Sequence, residues 1–222
     1  MARQKASLAA ALCALLMLAP AAHADDDTCR LALGRGWPPA TENYGTAVET
    51  LFAGSTPAAL SVTVLPKVGA ERAVRLMPDP AGGDWTLRFA EADERVRAWV
   101  DGQLMLRTTQ APEVRDVPIP ATVAKRLVEE WRALLAGAAP QESSAPFSED
   151  DAWVFVAGDL RVSGLEPGCD VGELLRDEMD LLIEATDEGP EKRQRRWRAL
   201  DASLNRLRRM REAYTGSVAN AP

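Results

Sequence analysis

Imidazole is almost missing from this chain. Of 222 residues one is a histidine, His23, and it sits inside a segment that reads as an export leader. Arg3 and Lys5 give residues 1–24 a basic start, Leu8 to Leu18 form an apolar run, and Ala22-His23-Ala24 ends in the small-x-small pattern cut by signal peptidase. The run is shorter than the roughly 20 apolar residues of a bilayer-spanning helix. A cleaved signal peptide is therefore predicted, and the mature chain, 25–222, is expected to hold no transmembrane segment. Leu12 before Cys13 does not suit a lipidation box, which argues against a lipoprotein. After cleavage no imidazole is left. The Ser-His-Asp and Cys-His nucleophile systems are then excluded for want of a base.

Cysteine is nearly as scarce. The leader removes Cys13, leaving Cys29 and Cys169. Two thiols so far apart in sequence cannot supply a tetrahedral zinc site, and they lack the Cys-x-x-Cys spacing of a redox pair. In an oxidising compartment a single Cys29–Cys169 disulfide is the expectation. Closing a loop of about 140 residues stabilises by roughly 4–5 kcal/mol in the chain-entropy picture. Phosphate-cradling motifs are also lacking. No Gly-x-Gly-x-x-Gly follows a strand and no Gly-x-x-x-x-Gly-Lys occurs. No cofactor and no metal are predicted.

Basic residues are outnumbered. The 26 Lys and Arg face 33 Asp and Glu, and loss of Arg3 and Lys5 with the leader takes the formal charge from −7 to −9. Nucleic acid is an unsuitable partner for such a chain, because phosphate binding is driven by cations. Aromatics make up 5% of the residues, with six Trp among them. Trp85, Trp131 and Trp153 fall in periodic apolar patterns and are expected in the core rather than on a carbohydrate-stacking surface.

The strongest positive signal is an amphipathic helix from Pro120 to Ala136. Val123, Leu127, Val128, Trp131, Leu134 and Leu135 share one arc, with Lys125, Arg126, Glu129, Glu130 and Arg132 on the other side. Lys125/Glu129 and Arg126/Glu130 are spaced for i,i+4 pairing, Pro120 suits the start and Gly137 the stop. Before it, residues 25–41 read as an irregular arm and 43–53 as a short helix ended by Gly54. From 60 to 109 the period becomes two: Leu60/Val62/Val64, Val74/Leu76, Trp85/Leu87/Phe89, then Val96/Ala98/Val100 turning through Asp101-Gly102 into Leu104/Leu106. This predicts an antiparallel meander covered on one face. A second hairpin, Trp153–Val156 and Leu160–Val162, is expected to join the same sheet after a polar loop from Gly137 to Phe147.

Two helices of opposite charge end the chain. Residues 170–188 hold eight acids against Arg176, and residues 190–211 hold nine bases against Glu191 and Asp201. Trp197, Leu200, Leu204 and Leu207 trace a narrow stripe on the basic helix. Docking of this helix along its acidic neighbour is the first expectation. The alternatives are a periplasmic protein partner, with the stripe entering a groove beside Arg195, Arg198 and Arg208, and an anionic membrane surface. Residues 190–222 would be detachable in the partner case.

The fold class expected is α+β: an antiparallel sheet of five to seven strands packed by a central amphipathic helix, with a C-terminal helical hairpin, in one domain. By elimination the expected function is non-catalytic binding or protein interaction in the periplasm of a Gram-negative bacterium. The alternative is a carboxylate-dependent enzyme acting on glycans, drawing on Asp79, Asp84, Glu149, Asp150, Asp151 or Asp159. A concave groove with two facing acids about 5–9 Å apart would favour the enzyme, and a convex surface with an exposed apolar patch the interaction.

Overall fold

A computed structural model describes residues 31, 33–34, 42–138, 151–168 and 170–219. The leader, Cys29, Cys169, Glu149, Asp150 and the loop after Ala138 lie outside the described residues, and with them the expected disulfide.

Six strands form one antiparallel sheet: β1 (Leu60–Leu65), β2 (Arg72–Met77), β3 (Trp85–Glu91), β6 (Glu113–Ile119), β7 (Ala152–Ala157) and β8 (Leu160–Leu165), in the order β6-β3-β2-β1-β7-β8. Its register puts the apolar residues of each strand in rows. Val162, Phe155, Val62, Val74 and Phe89 lie side by side, as do Leu160, Ala157, Leu60, Leu76, Leu87 and Val117. All but Leu160 are buried. Removing one such large side chain from water contributes roughly 1.5–3 kcal/mol. Trp131 meets Phe155 edge-on with centroids 5.9 Å apart, at the centre of this core.

Three helices cover that face. The helix α2 (Ala121–Ala136) lies over β7 and β8, α3 (Asp170–Asp187) over β2, β3 and β6, and α4 (Pro190–Ala219) packs on both as an outer layer. The expected caps of α2 are in place, with Pro120 before its first turn and the Gly137 N–H donating to Leu134 O. At the start of α3, Pro167 crosses so closely that a Cβ on Gly172 would lie 2.6 Å from its ring. Glycine is the residue that admits this approach. The basic helix runs past the expected 211 to Ala219.

Four expectations are corrected. The hairpin β4 (Arg97–Val100) and β5 (Gln103–Leu106) forms, with Asp101 and Gly102 at φ 50° and 76° in its turn, yet it is a separate two-stranded sheet. Its place beside β3 is taken by β6, a strand that no periodicity in the sequence announces. The second face of the main sheet is also partly covered. The helix α1 (Glu42–Phe52) sets Tyr44, Val48 and Phe52 against Leu65, Ala73, Ala90, Ala92 and Val96, and the small alanines give the helix room. Arg75 fastens its end, donating to Phe52 O and Thr56 O at 3.1 and 3.0 Å. Finally, part of the arm before α1 is core. Leu31 and Leu33 are buried, and Gly34 O accepts the Ser163 N–H at 2.8 Å along the edge of β8.

No helix among the described residues is long and apolar enough to cross a membrane.

Candidate interaction surface

The stripe on α4 is spent inside the fold. Trp197, Leu200, Leu204 and Leu207 are all buried in the main core between α2 and α3. Arg208 and Arg211 bind Glu130 of α2, Arg126 of α2 reaches Asp201 and Asn205, and Arg196 bridges to Glu184 of α3 and to Glu188 just beyond its end. The expected intrahelical Arg126/Glu130 pair is replaced by these contacts between helices. Glu130, placed with the polar side by its charge, is buried because two guanidiniums come to it from α4. Arg195 and Arg198 stay on the exposed outer side. The helix therefore docks, by apolar burial and by complementary charge together. In this conformation none of the four stripe residues is presented to a partner.

Between α3 and α4 runs an open groove of about 620 Å³, with Asp177, Asp180 and Glu184 on one wall and Arg206 and Arg209 on the other. Beneath it Glu178 is fully buried. The Trp131 indole N–H donates to its Oε2 at 2.5 Å. Ser203 is its neighbour across the α3–α4 seam, but neither Glu178 Oε1 nor Ser203 Oγ makes a hydrogen bond. Burial raises the pKa of Glu178 to about 7, against the lowering pull of Trp131, Ser203 and Arg206, and Asp177 adds to the rise.

The candidate acids of the sequence reading are dispersed in local roles. Asp79 closes its own turn, accepting from the Ala81 and Gly83 N–H groups at 3.0 Å. Asp84 is exposed in the same turn. Asp151 accepts the Lys67 N–H at 2.8 Å, and Asp159 pairs with Arg132 at 2.5 Å. These are the turn and surface duties that acids carry out in most folds.

Among the described residues, the exposed large apolar side chains gather on the hairpin β4–β5, with Val68 and Val114 standing singly elsewhere. The hairpin exposes Trp99 (71%), Met105 (51%), Leu104 (46%) and Leu106 (36%). The register places Trp99, Leu104 and Leu106 on one face and Met105, Ala98 and Val100 on the other. Trp99 and all four residues of β5 are exposed, while Ala98 and Val100 are half-buried. What holds the hairpin is its base. Glu71, fully buried, accepts the Val96 N–H at 2.7 Å, the Arg97 N–H at 3.5 Å and the Tyr44 hydroxyl. Burial, together with the Glu71 carboxylate, pushes the Tyr44 phenol above its ordinary pKa. Arg97 lies over the Tyr44 ring at 5.8 Å, and Arg107 N donates to Val96 O at 2.8 Å. A rooted stem thus carries an unpacked apolar blade.

Trp99 lies out of phase with the alternating Val96, Ala98 and Val100. The available signal was that apolar residues occupy both parities of the hairpin, at 98, 99 and 100 and again at 104, 105 and 106. A strand half-buried in a sheet alternates instead. Comparison with protein-family models, with curated proteins and with solved structures finds no match to this chain.

Proposed function

We propose that this protein is an exported, non-catalytic interaction domain that engages a protein partner through its β4–β5 hairpin. One observation carries the reading: four large apolar side chains stand in solvent together, on both faces of a hairpin whose base is fixed by a buried carboxylate. Clustered apolar exposure of this kind marks interaction sites, whereas single exposed hydrophobes are ordinary. The stripe of the basic helix, the alternative partner surface, is used for folding. The periplasmic setting rests on the leader features of residues 1–24.

The test is site-specific photocrosslinking in the source cells. A photoreactive residue is placed at Trp99 or Leu104, and at Val68, which is highly exposed on a different loop, as control. Discrete protein adducts at the two hairpin positions and none at Val68 are expected. Absence of adducts at the hairpin, or the same adducts at all three positions, overturns the reading.

A further inference from the structure

We infer that the hairpin's partner is a second copy of this chain, joined to the first by edge-to-edge pairing of β5 about a two-fold axis at Leu104. The inference rests on the reading of the hairpin as an interaction surface. It begins from a contrast among strand edges. A bare edge presents unpaired N–H and C=O groups, and proteins ordinarily block such edges with charge, proline or a covering segment. Both edges of the main sheet are blocked in this way. The outer strand β6 carries Glu113, Arg115, Asp116 and Pro118, and β8 is bridged by Gly34. The strand β5, Gln103-Leu104-Met105-Leu106, has no charge, no proline and no strand beyond it among the described residues.

Backbone geometry says which groups are open. The two-residue Asp101-Gly102 turn makes Val100 and Gln103 the closing hydrogen-bonded pair, so Trp99 and Leu104 form the next, non-hydrogen-bonded pair. The N–H and C=O of Leu104 therefore point away from β4. Two copies set antiparallel can exchange both groups between Leu104 and Leu104 across the axis, an isologous contact of the kind closed dimers use. The result is a four-stranded sheet, which is stable where a lone hairpin is marginal. On one of its faces Trp99 and Leu104 of each copy line up as a continuous apolar strip. Charge permits the approach. The chain as a whole carries −7, but β5 sets no like charges opposite each other.

The test is sedimentation of the purified full chain across the micromolar range, with two variants. Leu104→Pro removes the outward N–H and leaves the β4–β5 ladder intact, since that N–H takes no part in it. Leu104→Lys keeps the N–H and sets two cations face to face at the axis. Amide exchange of Val100 and Gln103 reports whether the hairpin survives in each. The expected result is a concentration-dependent doubling of mass in the native chain that both variants abolish, with the hairpin amides still protected. A native chain that stays monomeric overturns the second copy as partner. If Trp99 still crosslinks in cells to a different protein, the broader reading of the hairpin survives that failure. A dimer that persists in both variants also overturns the inference, because it places the contact elsewhere.

Discussion

Three glutamates are buried among the described residues, and each is held by different donors. Glu130 is paired with Arg208 and Arg211, Glu71 accepts hydrogen bonds from backbone N–H groups and a phenol, while Glu178 has the Trp131 indole and an unsatisfied second oxygen. The pKa of Glu178 is raised from 4.5 to about 7 by burial. The folded state therefore holds this proton more tightly than the unfolded chain. Its contribution is fully present below about pH 4.5 and is lost as pH rises towards 7, where the charge must be buried. Glu178→Gln mimics the protonated form, so its advantage over the native chain should grow by about 3 kcal/mol between about pH 5 and about pH 8. Urea unfolding at the two pH values checks it, and an unchanged difference would mean that Glu178 is already neutral or already solvated. Glu71→Ala leaves the Val96 and Arg97 N–H groups and the Tyr44 hydroxyl without their acceptor, a loss of about 3 kcal/mol. Exchange protection at Val96 and Arg97 should fall with it. Glu178 was legible as an anomaly in the sequence, since it lies between Leu174, Leu175, Met179 and Leu182 on the apolar arc of its helix. Glu71 was not, because its role depends on a loop crossing from the hairpin 25 residues away.

At the level of elements, α4 is part of the core and not an appendage. Leu204→Ala should cost roughly 2–5 kcal/mol, as cavities in packed cores do. Arg198→Ala, on the exposed side of the same helix, should stay within about 0.5 kcal/mol of the native chain. Chemical denaturation of the two variants compares them directly. Removal of residues 190–222 should abolish cooperative unfolding, because it uncovers the apolar seam of α2 and α3. The helices were readable from their 3.6-residue stripes and their Pro and Gly caps, the strands β1, β2 and β3 from alternation of apolar and polar residues, and β7 and β8 from a continuous apolar run turning through Gly158-Asp159. The strand β6 was not. Its Val-Arg-Asp-Val-Pro-Ile run buries only Val117 and Ile119 and carries Pro118, which an edge strand tolerates and an inner strand does not. Nor could local pattern tell that β4 and β5, with a good turn, pair only with each other. Strand order is decided by which segment pairs with the free edge of β3, and β6 takes it.

At the scale of the whole molecule, the large apolar side chains of the described residues, lone Val68 and Val114 aside, fall into two classes. One is packed in layers: α1 on one face of the sheet, α2 and α3 on the other, and α4 outside them, with charge pairs closing the seams. The other is the blade of the β4–β5 hairpin, which contributes nothing to those layers. Stability and association are thereby separated in space, and substitutions can separate them too. The most direct measurement is the unfolding midpoint of the Trp99→Ser/Leu104→Ser double variant, taken beside its hairpin crosslinking yield. Read at a dilution where the native chain is monomeric, the midpoint should match the native chain within about 0.5 kcal/mol, while hairpin adducts disappear. A loss of several kcal/mol, comparable to Leu204→Ala, would show that the hairpin belongs to the folding core and would contradict its assignment to a partner.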